Sequence, residues 1–152
     1  MVKRVLPFVL AAFLTGLDQL TKHIVSTHIS KAHPLRITPF FQLVYVENKG
    51  AAFGLFQFLG NGVFIGISIV AIVFVLYIMF KEKENPYIMA LVLAGAMGNL
   101  MDRLRLGYVV DFLDFHIGSY HWPAFNVADS CLSVGLVLLF LRMFFRPHKT
   151  GL

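Results

Sequence analysis

Four apolar stretches of about twenty residues divide the chain, at roughly 5–25, 61–80, 86–106 and 126–145. Each matches the ~20 residues that an α-helix needs to cross about 30 Å of hydrocarbon. Between the first and second, over about 28–60, the pattern changes. "LRITPFFQLVYVENKGAAFGLF" mixes short β-branched and aromatic runs with Pro39, Gly50 and Gly54, which is the signature of strands and turns and is too polar and broken to span. The pattern predicts an all-α membrane protein, one domain over 1–152. It has four transmembrane helices and a small extracytoplasmic β-sheet between spans one and two.

Composition sharpens this reading. With 58% hydrophobic residues, 16 Phe and a mean hydropathy of +0.75, the chain is too apolar for an ordinary soluble domain. Its net charge of +5 reads as topology, because Lys3, Arg4, Lys81, Lys83, Arg142, Arg146 and Lys149 all flank spans at one side. Both termini and the 81–85 loop are therefore placed in the cytoplasm, although Lys31, Arg36, Lys49, Arg103 and Arg105 fall towards the other side. No basic stripe points to nucleic acid. The lone Cys131 excludes an intrachain disulfide and a cysteine metal cluster, and suits a small packing residue. The start "MVKRVLPFVLAAFLTG" imitates a signal peptide but lacks an A-x-A site, and the apolar helix runs on through "LDQLTKHIV". An uncleaved first span is expected.

The polar residues inside the spans carry the chemistry. In "WPAFNVADS" Asp129 opens a long apolar run, and a carboxylate at membrane depth costs on the order of a few kcal/mol, so such residues mark functional sites. At about 1.5 Å per residue from the cytoplasmic ends, Asp18 lies ~20 Å in, Asn99 ~18 Å, Asp102 ~22 Å and Asp129 ~24 Å. Three helices thus present polar groups at one level, and Asp111 in "GYVVDFLDF" can fold back onto it. Gly95, Asn99, Asp102 and Leu106 share one helical face, expected to look inward. Span two has nothing ionisable between Val63 and Phe80, and its Gly62-x-x-x-Gly66 is only a weak packing signal.

Asp18 and Lys22 stand four apart in the favourable acid-before-base order, the spacing of a structural ion pair. Asp102 with Arg105, or Asn99 with Arg103, read as scaffolding in the same way. Asp111 and Asp129 have no local cation. Two carboxylates brought together in low dielectric cannot both ionise, so one keeps a proton and the other serves as base, the arrangement of an aspartic peptidase. A proton-coupled carrier or an inert polar patch remains open on spacing alone, and Asp114 rivals Asp111. Zinc chemistry lacks H-E-x-x-H, the six histidines lie outside the apolar cores, and Ser68 has no histidine at its depth to activate it. No metal or cofactor is expected.

Together the motifs resemble the lipoprotein signal peptidase family, signal peptidase II, the bacterial inner-membrane aspartic peptidases. The blocks run in order along nearly the whole chain: "DQLTK", "VENKGAAFG", "GAMGNLMDR", "VVDFLDF" and "FNVADS". The resemblance implies an enzyme that cleaves before a diacylglyceryl-modified cysteine of prolipoproteins. It places the catalytic pair at Asp111 and Asp129, with Asp114 as a supporting acid. Asp18, Lys22, Asn48, Gly50, Gly95, Asn99, Arg103, Asn126 and Ala128 are implied as substrate-binding or site-supporting residues. The expected setting is the bacterial cytoplasmic membrane, with the site near the extracytoplasmic face, membrane lipid and prolipoprotein as partners, and a monomer. A peptidase also wants an extended-strand docking surface, which the 35–57 segment is expected to supply. A carrier would more typically show internal repeats, and none is found.

Overall fold

The computed structural model describes residues 2–50, 57–81 and 84–145, with the side chains of 2–4 and 57 left aside. Lys83, Arg146 and Lys149 of the expected cytoplasmic charge, and Ala51–Gly54 of the "ENKGAAFG" block, lie outside the described residues.

The order is α1 (Val2–His28), β1 (Leu35–Thr38), β2 (Phe41–Asn48), α2 (Gly60–Phe80), α3 (Pro86–Leu106), β3 (Val109–Ile117), β4 (Tyr120–His121) and α4 (Val127–Phe144). Helix boundaries follow local chemistry. Asn85 caps α3 by accepting from Tyr87 N at 2.9 Å, with Pro86 in the first turn, where its missing N–H costs nothing. Gly107 ends α3 in the left-handed conformation, at φ 82°, which favours glycine and turns the chain straight into β3.

Helix α3 is the axis of the bundle and packs against α1, α2 and α4. Its Met89, Ala90, Leu93 and Ala94 are buried with Ala11 of α1 and with Val75 and Met79 of α2. Towards α4 the fit depends on absent side chains. A Cβ on Gly95 would collide with the backbone oxygen of Ala128, and one on Gly98 would stand 2.6 Å from Asp18 Oδ2. Among the described residues three helices are long and apolar enough to cross a membrane: Val5–His28, Gly60–Phe80 and Val127–Phe144. Helix α3 equals α2 in length at 21 residues but is not among them, and Asn99, Asp102, Arg103 and Arg105 crowd its second half. Outward, α2 exposes Ile67, Val70, Val73 and Phe74.

The sheet is larger than expected between the first two long helices. Among the described residues it has four antiparallel strands in the order β1-β2-β3-β4, of which β1 and β2 come from the 28–60 segment and β3 and β4 follow α3. Strand β3 pairs along β2, with Asp111 opposite Val46 and Asp114 opposite Gln42, and turns through Gly118 (φ 59°) into β4. The β-branched pair Val109–Val110 favours a strand here. Phe112 fastens the sheet to the end of α1 by packing on Val25 and Ile29.

Candidate active site

Asp129 is held by the start of its own helix. Asn126 is the N-cap of α4: its Oδ1 accepts from Asp129 N at 2.8 Å, and Asp129 Oδ2 accepts from Asn126 N at 3.3 Å, completing a capping box. A carboxylate in the first turn also meets the positive end of the helix dipole. Its other oxygen, Oδ1, accepts from Asn99 Nδ2 of α3 at 2.7 Å. The apolar run of α4 thus begins with an acid whose oxygens are both engaged.

Asp111 reaches the same place from the sheet. Asn126 Nδ2 donates to Asp111 Oδ1 at 2.7 Å, and Asn48 Nδ2, at the end of β2, donates to Asp111 Oδ2 at 2.8 Å. Asn48 is itself fixed, because its Oδ1 accepts from Gly50 N at 3.0 Å. The two acids are therefore joined by asparagines: Asn126 Nδ2 also lies 3.3 Å from Asn99 Oδ1, and Asn99 holds Asp129. Asp111 is 2% exposed. Burial, reinforced by the charge of Asp129, pushes its carboxyl up to about 7 despite the asparagine donors.

Beneath the pair lies a buried ionic cluster. Lys22 Nζ meets Asp18 Oδ2 at 2.9 Å, Asp102 Oδ2 at 3.0 Å and Asn99 Oδ1 at 3.1 Å. The expected Asp18–Lys22 pair is present. The pairings of Asp102 with Arg105 and of Asn99 with Arg103 are replaced: Asp102 binds Lys22 and Gln19 Nε2, Arg105 donates to Gln19 Oε1, and Arg103 lies over the Phe64 ring with its Nη2 3.5 Å from Gly50 O. The cluster also holds the backbone on both sides of the site. Ala128 N donates to Asp18 Oδ1 at 2.8 Å, and Val110 N to Asp102 Oδ2 at 3.0 Å.

A cavity of about 640 Å³ opens on the pair, with Asn48, Gly50, Asn99, Arg103, Asp111 and Asp129 in its wall. Trp122–Phe125 and the first turns of α4 complete it. Gly95 and Ala128 act at one remove, as the close contact between α3 and α4. Asp114 is not in this wall. Three residues on from Asp111, it points to the other face of the strand, where it accepts from Gln42 Nε2 at 2.6 Å and bonds His121 Nδ1 at 2.9 Å. In the 35–57 segment β1 is the outer strand of the sheet, and β2 pairs with β1 only through Phe41–Leu43 while its other side is taken by β3. Gln19 entered the site without having been singled out, and Asp102, expected on the inward face, has Lys22 of another helix as its cation instead of Arg105. The Trp122–Phe125 wall had no sequence signal. Among the described residues no group of three His, Cys, Asp or Glu is placed to hold a metal ion.

Comparison with known proteins gives the family. The family model described as signal peptidase (SPase) II matches residues 10–145. A lipoprotein signal peptidase of Thermodesulfovibrio yellowstonii is 51% identical over 122 residues, covering 80% of this chain and 83% of that one. Lipoprotein signal peptidases of Francisella tularensis and Syntrophus aciditrophicus are each 42% identical, over 94% and 91% of this chain and 94% and 92% of theirs. Among solved structures, a bacterial membrane enzyme determined by the in meso method superposes with a TM-score of 0.83 at 31% identity, over 96% of this chain and 93% of that one. The chain belongs to the signal peptidase II family and is a membrane-embedded peptidase.

Proposed function

We propose that this chain is an aspartic endopeptidase that removes signal peptides from prolipoproteins by cleaving before a diacylglyceryl-modified cysteine, with Asp111 and Asp129 as the catalytic pair. The observation that carries this reading is that two buried carboxylates from different elements share one cavity and are bridged by Asn126 and Asn99. With Asp111 pushed up to about 7, the pair divides into an acid and a base near neutral pH. The ionised carboxylate takes a proton from water as the water oxygen adds to the scissile carbonyl carbon, and the protonated one gives its proton to the carbonyl oxygen. Collapse of the tetrahedral adduct breaks the C–N bond as one of its hydroxyls returns a proton to the carboxylate that had acted as acid, and the proton gained by the base passes to the leaving amine. Arg103 and Gly50 stand at the wall where they can hold the substrate backbone, and Asn48 orients Asp111.

The topology that fits is four spans. Helix α3, with 21 residues and so about 31 Å long, serves as the fourth, its polar face turned to Lys22 and Asp129 inside the bundle. Both termini then face the cytoplasm, and the sheet and cavity face the opposite side of the bacterial inner membrane. The enzyme works as a monomer, with no metal or cofactor. The test is incubation of the detergent-purified protein with a diacylglyceryl prolipoprotein and with its non-lipidated form. A size shift for the lipidated form alone is expected, lost in Asp111→Asn and in Asp129→Asn. Cleavage by either variant would sink the catalytic pair, and equal cleavage of both precursors would sink the lipid requirement.

A further inference from the structure

We propose that Lys22 is a positioning residue of the catalytic pair: its ammonium turns Oδ1 of Asn99 towards itself, commits Nδ2 of Asn99 to Asp129, and so makes Asp129 the resting base and Asp111 the resting acid. This rests on the aspartic reading above and goes beyond it by assigning the two roles.

The argument is one of donors and acceptors. A lysine ammonium has three N–H donors and no acceptor. Those of Lys22 are engaged by Asp18 Oδ2, Asp102 Oδ2 and Asn99 Oδ1, at 2.9, 3.0 and 3.1 Å. An amide that meets a pure donor must present its oxygen, so its NH₂ faces the other way, here onto Asp129 Oδ1 at 2.7 Å. Asn126 fits the same orientation, since its Nδ2 lies 3.3 Å from that Asn99 oxygen. Lys22 is the charged donor on that oxygen and at 3.1 Å the nearer one, so without it the orientation is held only by the 3.3 Å contact from Asn126 and by Asp129 itself. Lys22 is 3% exposed, so water is a poor substitute for it.

The charges around Asp129 give the same assignment. Helix α1 presents Lys22 and Asp18, α3 presents Asp102 and Arg103, and β3 presents Asp111. The leading perturbations of Asp111 are its burial and the charge of Asp129. Asp111 therefore keeps the proton at rest, which its carboxyl at about 7 supports.

The test is the pH profile of kcat/KM for cleavage of a diacylglyceryl prolipoprotein. Its acid limb reports ionisation of the base. In the double variant Lys22→Met, Asp102→Asn the Asp18–Lys22–Asp102 cluster keeps its formal charge of −1 but loses the ammonium. The acid limb is expected to move up by about one pH unit, and kcat to fall by on the order of tenfold with KM little changed. Asn99→Ala leaves the Lys22 pairs with Asp18 and Asp102 intact, so it serves even if the double variant does not fold, and it should move the same limb in the same direction. Adding Asn99→Ala to the double variant should bring no further shift, because both act through one contact. An acid limb that stays in place in Asn99→Ala, or additive shifts in the combined variant, would overturn the role of Lys22. The catalytic pair itself would stand as long as Asp111→Asn and Asp129→Asn remain inactive.

Discussion

Replacing Asp111 by asparagine should cost the enzyme its activity and relieve its fold of a pH-dependent burden. A carboxyl whose folded pKa lies above its unfolded value supports the fold fully only below the unfolded value, and that support is lost as pH rises through the folded value. For Asp111 the two ends of the window are 3.8 and about 7. At 1.36 kcal/mol per pH unit, the burden comes to about 4 kcal/mol above the window, of which about 2.5 kcal/mol accumulates between pH 5 and pH 8. Asp111 is 2% exposed, so solvent screening removes little of this. The asparagine keeps the shape but offers one acceptor to Asn48 and Asn126 where the carboxylate offers two, a loss of about 1–3 kcal/mol that does not vary with pH. The measurement is therefore the pH dependence of the difference. Melting of the purified protein and of Asp111→Asn in detergent should show the parent losing about 5–10 °C more than the variant from pH 5 to pH 8. Parallel curves would refute the buried, proton-holding Asp111, whatever the variant's activity.

Asn48→Ala removes a hydrogen bond that favours the ionised form of Asp111, so the alkaline limb of the pH–rate profile should move to higher pH; movement to lower pH would contradict the geometry. Gly98→Val places side-chain carbon against Asp18 and Ala128, and the overpacking should cost about 1–3 kcal/mol or more in thermal unfolding, with activity lost in parallel. Asp114→Asn breaks the brace to Gln42 and His121 and should lower stability by about 1–3 kcal/mol while turnover persists, and abolished turnover in a folded variant would return Asp114 to the catalytic site. Cysteines at Lys31 and Lys81, with Cys131 replaced, should react with an impermeant reagent from opposite sides of the membrane, and reaction from one side would overturn four spans.

The gathering of Asp18, Asn99, Asp102 and Asp129 was legible because helical rise converts position into depth, and antiparallel helices must then share a level. Helix ends were legible for a similar local reason: Asn126 before Asp129 is a capping pattern, and the structure forms it. Strand β3 was not. Its two faces carry Val109, Asp111, Leu113 and Phe115 on one side and Val110, Phe112 and Asp114 on the other, so acid and apolar residues are mixed on both and the alternation that announces a strand is missing. For the same reason residue spacing could not separate Asp111 from Asp114; once 109–117 is a strand, parity separates them at once. Partners distant in sequence were invisible. Asp102 has Arg105 at helical spacing, yet its cation is Lys22 on another helix, because only burial makes one ammonium between two carboxylates worth more than two exposed local pairs.

That cluster also explains how a membrane-embedded fold can hold two acids in register when one sits on a strand and the other on a helix. Backbone positions next to the two acids, Val110 before Asp111 and Ala128 before Asp129, each donate to a carboxylate of the cluster. Asp102 and Asp18 are bound in turn by the same ammonium, at 3.0 and 2.9 Å. The separation of the two acids is thus set by a chain of short contacts through Lys22. A buried ion pair is weak evidence for stability, since apolar replacements often serve as well. Here the contacts to Val110 N and Ala128 N are ones that no apolar replacement could make, which is a reason for the charges to be kept in the bundle at the cost of desolvating them.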